Sequence, residues 1–215
     1  MCQKSIFLFD FNFVCIIINI NMSTTKIAIF ASGKGSNAQQ IIRHFKGKTA
    51  YEIALIVSSR KDAGVLDIAK NEGIPSIVLD KNNFFSSDDY VQFLKDLNID
   101  FIILAGFLWK IPVGLIHAYP QKIVNIHPAL LPNYGGKGMY GHFVHEAVIN
   151  AREKQSGITI HFVDELYDHG AVIFQATCDI TEQDTPDTLA EKIHQLEHQH
   201  FPAIIEKVLA GVNSN

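Results

Sequence analysis

An amide and an imidazole stand two residues apart near the middle of the chain, in the segment NIHPALLP at residues 125–132. The apolar run before them predicts a strand, and alternate residues of a strand face the same side. Asn125 and His127 should therefore project together. An amide donor beside a group that titrates near neutral pH can stabilise a developing oxyanion and transfer a proton. The pair is a candidate acid/base site, and a purely structural role for His127 is the alternative.

Three carboxylates follow in the segment DELYDHG at residues 164–170, and one of them could orient His127. Asp168 is the best placed, because it directly precedes His169, Gly170 and another apolar run. Aspartate is also common in turns for local reasons, which is the alternative for Asp168. We expect Asp168 at the same edge of the sheet as Asn125 and His127.

A glycine-rich segment, GKGSNA at residues 33–38, lies between a predicted strand and a predicted helix. Backbone N–H groups at the start of a helix bind phosphate when small side chains let the anion approach. The segment also fits the G-x-G-x-x-A fingerprint of dinucleotide-binding proteins. The next strand ends in Ser58, Ser59 and Arg60 rather than Asp or Glu, which would suit a 2′-phosphate. A phosphate site, an NADP site and a tight turn without ligand are all open at this point.

The elements that must position these segments follow a regular pattern. Short β-branched runs alternate with amphipathic stretches, which is typical of βαβ units and a parallel sheet. Strands are predicted at residues 26–31, 52–57, 75–79, 101–105, 122–126, 157–163 and 171–180. Helices are predicted at residues 37–45, 62–71, 87–97, 112–117 and 142–151. The predicted fold is α/β: a single-domain, mostly parallel, twisted, Rossmann-like sheet flanked by helices, with an antiparallel addition of C-terminal strands.

A last helix is predicted from its start signal. Thr185 is the expected N-cap, with Pro186 at the first helical position. Pro202 should interrupt or kink this helix, because proline lacks the backbone N–H and clashes with the preceding turn.

Composition excludes several classes of protein. The chain has 215 residues, 47% of them hydrophobic and 19% charged, so general disorder is excluded. A net charge of −4, with no run of Lys or Arg, argues against a nucleic-acid partner. Of the three cysteines, only Cys178 lies in the body of the chain, so no disulfide framework is expected. The body suits a reduced, cytoplasmic setting.

The first 21 residues form a separate segment. Its apolar stretch is broken by Asp10, Asn12 and Asn19, and it falls short of the ~20 apolar residues that span a bilayer. No small-x-small cleavage site follows it. Met22 begins an ordinary polar start that leads into the first strand. We expect residues 1–21 to be a non-native or dispensable extension, residues 22–211 to form the domain and residues 212–215 a flexible tail, with no membrane partner.

Taken together, the motifs resemble those of the phosphoribosylglycinamide formyltransferases, a folate-dependent family of purine biosynthesis. The resemblance runs from Met22 to about Gly211. It rests on GKGSN at 33–37, LAGF at 104–107, NIHPALLP at 125–132, IHFV at 160–163, DHG at 168–170 and EH at 197–198 with Pro202. It implies a formyltransferase fold and transfer of the formyl group of 10-formyltetrahydrofolate to the amine of N1-(5-phospho-D-ribosyl)glycinamide. The folate would be a co-substrate, and no permanently bound cofactor is implied.

The resemblance also implies a role for each matched residue. Asn125, His127 and Asp168 match the catalytic residues, and His161 matches a histidine that flanks them. The phosphate and ribose of the acceptor would be bound by Gly33, Gly35, Ser36, Asn37 and Glu197. His194 lies one helical turn before Glu197, so we expect it to be a further polar contact to the acceptor. The folate pocket would be lined by Leu104, Phe107, Leu108, Trp109, Lys110, Ile111, Asp164 and Asp168.

Four other functions fit part of this pattern. A methionyl-tRNA formyltransferase would need a further C-terminal domain and a basic surface. A formyltetrahydrofolate hydrolase usually carries an N-terminal regulatory domain, for which residues 1–21 are too few. An NADP-dependent oxidoreductase would leave Asn125 and His127 unexplained, and a non-catalytic nucleotide-binding module would leave His127 and Asp168 unused.

The sequence also allows expectations about metal binding, partners and oligomeric state. Two histidine pairs have helical spacing, His142 with His145 and His194 with His198, but neither has an obvious third ligand. No metal is therefore predicted. The expected partners are small-molecule substrates, and the expected state is a monomer or homodimer.

Overall fold

The computed structural model describes residues 24–212, in which strands and helices alternate along the chain. The strands are β1 (Thr25–Phe30), β2 (Tyr51–Ser58), β3 (Ser76–Val78), β4 (Phe101–Leu104), β5 (Ile123–His127), β6 (Gln155–Phe162) and β7 (Val172–Asp179). The helices are α1 (Ser36–Phe45), α2 (Val65–Glu72), α3 (Lys81–Ser86), α4 (Asp89–Asp96), α5 (Val113–Ala118), α6 (His142–Asn150) and α7 (Pro186–Val212). The predicted extension at residues 1–21 lies outside the described residues.

All the strands belong to one seven-stranded sheet with the order β3-β2-β1-β4-β5-β6-β7. Strands β1 to β5 pair in parallel, whereas β6 pairs antiparallel with both β5 and β7. The predicted α/β fold, mostly parallel with antiparallel C-terminal strands, is confirmed. The strand order changes direction at the β1–β4 pair, and open α/β sheets form their ligand crevice beyond the carboxyl ends of the strands at such a point.

Both faces of the sheet are covered by helices. Along β1, Ile27 and Ile29 enter the core beneath α1, α2, α6 and α7, while Ala28 and Phe30 enter the core beneath α3, α4 and α5. None of these four side chains is more than 1% exposed. A parallel strand buried on both faces reads as a continuous apolar run, which is why the central strands were visible in the sequence.

Helix α7 continues unbroken through Pro202, so of the predicted interruption or kink the interruption is wrong, and the kink stays a prediction. Proline costs roughly 3 kcal/mol in a helix interior. Apolar side chains on both sides of it are almost fully buried against the sheet, which holds the helix in place: Leu189, Ile193, Phe201, Ile205 and Leu209. Within residues 24–212, no helix is both long and apolar enough to cross a bilayer.

The beginning of α7 confirms the predicted N-cap. Thr185 Oγ1 accepts the backbone N–H of Thr188 at 3.2 Å, and Thr188 Oγ1 accepts the N–H of Thr185 at 2.9 Å. The two threonines thus satisfy two N–H groups that have no partner inside the helix.

Helix α3 was not predicted. It begins where the Asp80 carboxylate accepts the backbone N–H of Asn83 at 2.9 Å. With six residues it is too short to show a periodic apolar stripe, and only Phe84 is buried.

Candidate active site

A cavity of about 1090 Å³ opens beyond the carboxyl ends of β1, β4 and β5. Every residue that the sequence analysis assigned to a site lines this cavity. They come from the loops after β1, β4 and β5, from the β6–β7 region and from α7, which are far apart in the chain. The parallel topology brings these segments to one edge of the sheet, as the sequence analysis expected for Asn125, His127 and Asp168.

His127 is buried at the end of β5 and is held between two groups. Its Nε2 lies 2.8 Å from the carbonyl oxygen of Tyr134, and because a carbonyl can only accept, Nε2 carries a proton. Its Nδ1 faces a carboxylate oxygen of Asp168 at 3.6 Å. That distance is too long for a hydrogen bond and short enough for an ion pair once Nδ1 is protonated. The imidazole is therefore oriented mainly by Tyr134, a contact that the sequence analysis missed.

Burial lowers the pKa of His127, and the charge of a protonated His161 would lower it further. The negative charge of Asp168 and the hydrogen bond to Tyr134 raise this pKa but do not fully compensate. The net shift is downward, so His127 is mainly neutral at pH 7, with Nδ1 as a proton acceptor. Any step that protonates Nδ1 would be stabilised by the carboxylate of Asp168.

Asn125 is oriented by the second buried histidine. Its Nδ2 lies 3.1 Å from His161 Nε2, and His161 Nδ1 lies 2.7 Å from the carbonyl oxygen of Phe162. Because that carbonyl accepts, Nδ1 of His161 carries the proton and Nε2 accepts from the Asn125 amide. One N–H of the amide is engaged in this contact, and its second N–H remains to donate to a substrate oxygen.

The carboxylate of Asp168 accepts one backbone N–H and lies beside both buried histidines. The Gly136 N–H donates to Oδ2 at 2.9 Å, and His161 Nε2 lies 3.7 Å from Oδ1. Burial raises the pKa of Asp168, but the protonated forms of His161 and His127 and the hydrogen bond from the Gly136 N–H lower it more, and the net shift is downward. The carboxyl group is therefore ionised at neutral pH. Asp168 and Tyr134, the two neighbours of His127, both have left-handed backbone conformations, with φ of 51° and 56°.

The segment after β5 is anchored to the antiparallel strands. Buried Thr159 of β6 accepts the Leu131 N–H at 3.0 Å and donates to the Ala129 carbonyl at 2.7 Å. Gln175 of β7 donates to Thr159 and to the Leu131 carbonyl. These contacts fix the path of the chain directly after His127.

The glycine-rich segment turns directly into α1. Gly35 has φ of 82°, and a Cβ at this position would lie 2.8 Å from Val65 Cβ, so only glycine fits without strain. No side chain caps the N-terminus of α1, and its first turn has no acidic residue. The start of α1 thus lies at the cavity lining with no side-chain cap, an arrangement that can bind an anion.

A buried carboxylate lies beside this end of the cavity. Glu197 of α7 accepts a hydrogen bond from the Asn37 amide at 2.9 Å and is 6% exposed. Burial raises the pKa of Glu197, while Asn37 and His194 lower it less strongly. His194 stacks on His198 with ring centroids 6.4 Å apart. The carboxyl oxygens of Glu197 can accept further hydrogen bonds, and hydroxyl groups are suitable donors.

The opposite wall is apolar and is built on the loop after β4. Trp109 packs against Phe107, Phe84 and Phe85, with ring centroids between 5.7 and 6.3 Å apart. Helix α3, which the sequence analysis missed, therefore supports this wall. Lys110 lies over the ring of Tyr167 at 5.4 Å.

Two side chains tie the loops of this wall together. Ser32 Oγ accepts the Leu108 N–H at 3.1 Å and so joins the loops after β1 and β4. The Asp164 carboxylate accepts hydrogen bonds from the Leu166 N–H at 2.9 Å and from His169 Nδ1 at 2.7 Å. These two hydrogen bonds hold the segment between β6 and β7 together.

Several lining residues were not assigned from the sequence. They are the segment at residues 136–141, Lys34, and the histidines His142, His145 and His198. The glycine density of residues 135–141 and the helical spacing of His142 and His145 were the available signals. Among the described residues, no group of three His, Cys, Asp or Glu side chains is arranged to hold a metal ion.

The residues required by an NADP site lie elsewhere. Arg60 is exposed and pairs with Asp62 at 2.7 Å, and Ser59 Oγ lies 2.6 Å from Ser32 Oγ. Neither Ser59 nor Arg60 lines the cavity among the described residues. The geometry therefore favours a phosphate without an adjoining 2′-phosphate nucleotide.

Fold and site together define a class of enzyme. Residues 25–205 match the model of the formyl transferase family, and the chain belongs to that family. It is similar to the phosphoribosylglycinamide formyltransferase of Bacillus subtilis (strain 168), with 35% identity over 194 residues that cover 88% of this chain and 96% of the relative. The resemblance that the motifs indicated is thereby confirmed.

Two further comparisons agree. The phosphoribosylglycinamide formyltransferase, chloroplastic, of Arabidopsis thaliana is 40% identical over 186 residues, covering 84% of this chain and 64% of the relative. This chain thus spans less than two thirds of that plant protein. The crystal structure of phosphoribosylglycinamide formyltransferase from Bacillus Halodurans has a TM-score of 0.78 and 40% identity, with 86% of this chain and 95% of that chain covered.

Proposed function

We propose that this chain transfers the formyl group of 10-formyltetrahydrofolate to the amine of N1-(5-phospho-D-ribosyl)glycinamide. The observation that carries the proposal is the convergence of Asn125, His127 and Asp168 on a cavity that joins an anion-binding helix start to an apolar wall. The relatives named for this reaction support the choice of acceptor.

The two ends of the cavity suit the two substrates. The phosphate of the acceptor binds the N–H groups at the start of α1, and the ribose hydroxyls bind Glu197. The folate binds along the wall formed by residues 104–111 and the segment at residues 164–168. The acceptor amine and the formyl carbon then meet beside His127.

The proposed chemistry follows from the hydrogen bonds within the site. The amine attacks the formyl carbon, and the carbonyl oxygen becomes an oxyanion that the free N–H of Asn125 stabilises. Nδ1 of His127 takes a proton from the attacking nitrogen, and the imidazolium is stabilised by Asp168 at 3.6 Å. The C–N bond to folate N10 then breaks, and the same proton passes to N10. The products are the formylated acceptor and tetrahydrofolate.

Purified protein tests the proposal with 10-formyltetrahydrofolate in the presence and absence of the acceptor. Formation of tetrahydrofolate should require the acceptor and should match the formylated product in amount. Rapid release of formate without the acceptor would instead indicate a hydrolase. Formylation of methionyl-tRNA, or tight NADPH binding without folate turnover, would refute the proposal.

A reduced, cytoplasmic setting and a monomeric or homodimeric state belong to the same proposal. Cys178 is the one cysteine within residues 24–212, too few for the disulfide framework of small secreted proteins. Sedimentation of the purified chain at several concentrations would establish its oligomeric state.

A further inference from the structure

His145 of α6 is a buried histidine that the proposed mechanism does not use. It is 4% exposed, and its side chain lines the cavity. Its Nδ1 is completely buried and has no hydrogen-bond partner within the described residues. Its neighbours on the same buried face, Val144 and Val148, are apolar and at most 1% exposed. A histidine at this position is therefore not required by the packing of α6.

Unpartnered polar atoms are concentrated around the same cavity. Within residues 24–212, four buried side-chain nitrogen or oxygen atoms have no partner, and three of them belong to cavity-lining residues: Asn37, His145 and His198. A buried polar atom without a partner typically costs about 1–3 kcal/mol, and native proteins contain few of them. The concentration of such polar side chains along one wall of the cavity makes that wall suitable for a polar ligand.

His145 lies among other histidines of the cavity lining. His194, His142 and His127 all lie close enough to His145 that their charges would affect its ionisation. Burial, with these histidines, lowers the pKa of His145 to about 4. The ring is therefore neutral at pH 7 and offers one donor and one acceptor. A ligand hydroxyl or amide group, which can both donate and accept hydrogen bonds, would match this ring.

We propose that His145 is an acceptor-binding residue that hydrogen-bonds the ribosyl-glycinamide part of the acceptor, between the reacting amine and the phosphate. This inference rests on the proposed function. It predicts a contact that the acceptor makes and the folate does not, because the folate wall is formed by other segments. It also explains why a polar ring occupies the buried face of α6.

The test replaces His145 by Phe, which preserves the ring and removes both hydrogen-bonding groups. Binding of the acceptor alone is measured by calorimetry, and KM is measured for both substrates. The variant should bind the acceptor about 3- to 10-fold more weakly, as expected for one or two lost hydrogen bonds, with an unchanged KM for the folate. Its melting temperature should be equal or higher, because an unpartnered polar atom is removed.

Two amide variants identify the nitrogen that makes the contact. In His145→Asn the amide lies near the position of Nδ1, and in His145→Gln it lies near that of Nε2. One of the two should restore much of the acceptor affinity. His200→Phe is the matched control, because His200 is also on a helix but packs on Phe174 and is not among the residues that line the cavity.

Unchanged acceptor affinity in His145→Phe would show that His145 only fills space, and would overturn the inference while leaving the proposed function intact. If His145→Phe does not fold, equal acceptor affinity in the wild type and in both amide variants would overturn it. A wild-type chain that neither binds nor formylates the acceptor would refute the proposed function first, and this inference with it.

Discussion

The Asp168→Asn variant tests how a buried imidazole with a lowered pKa can take up a proton during the reaction. Asn at this position keeps an oxygen for the Gly136 N–H, so the local backbone should be preserved. What it removes is the negative charge 3.6 Å from His127 Nδ1. The pKa of His127 should fall, because the charge of Asp168 is one of the two influences that raise it.

The size of this change follows from the distance. Two unit charges about 4 Å apart interact by roughly 4 kcal/mol at an effective dielectric constant near 20. Opposite charges at such distances typically shift a pKa by about 1–3 units. We take roughly 2.7 kcal/mol of this interaction as lost in Asp168→Asn, which corresponds to a factor of about 10² in rate. If the imidazolium is formed in the rate-limiting step, kcat at pH 7.5 should fall by about 10².

The assay is kcat as a function of pH, together with titration of the His127 ring by NMR, assigned with His127→Ala. In Asp168→Asn both the ring titration and the corresponding limb of the rate profile should move to lower pH by the same amount. Asp62→Asn, which removes an exposed carboxylate paired with Arg60, is the control and should change neither. A uniform loss of rate with an unmoved His127 titration would refute the electrostatic role.

The remaining predictions concern catalysis, substrate binding, the N-terminal segment and stability. Asn125→Ala should lower kcat by a factor of about 10²–10³ and His127→Ala by a factor of about 10²–10⁴. The Kd of the acceptor should change little in both variants. A near-normal kcat in either variant would remove the catalytic role of that residue. Gly35→Val should raise the acceptor KM far more than the folate KM, since a side chain there is strained and distorts the anion site; equal increases would contradict this. A chain beginning at Met22 should be soluble and as active as the full-length protein, and aggregation or loss of activity would show that residues 1–21 are needed. Asp184→Asn should destabilise the protein by about 2 kcal/mol at neutral pH, because the carboxylate binds lysine and threonine partners. Those partners lower the pKa of Asp184, so its contribution to the free energy of unfolding is present above about pH 4 and is lost as the pH falls further. If the melting temperatures of the wild type and Asp184→Asn differ by the same amount at every pH, this explanation is contradicted.

The sequence was most informative where burial is extensive. Strands β1 and β4 were located to within one residue at either end, because a strand buried on both faces is an unbroken apolar run. Helix α3 is too short for its periodicity to be visible. The course of α7 through Pro202 depends on burial along the whole helix, which a local rule about proline does not include.

The candidate site was predictable to a similar extent. Motifs identified Asn125, His127 and Asp168, because the chemistry needs particular side chains in a particular order. The partner of His127 could not be identified in this way, since Tyr134 contributes a backbone carbonyl. Any residue could supply that group, and only the course of the loop determines which one does.

The sequence by itself determined the α/β architecture, the edge of the sheet at which the candidate site forms and the candidate side chains for the proposed reaction. These features depend on residue type and on spacing within one segment, which the chain displays directly. Only the tertiary structure decided which nitrogen of His127 is protonated, how burial and Asp168 act against each other on its pKa, and that His145 lines the cavity with no partner. Those features depend on distances between segments far apart in the chain, and such distances exist only once the helices have packed on the sheet.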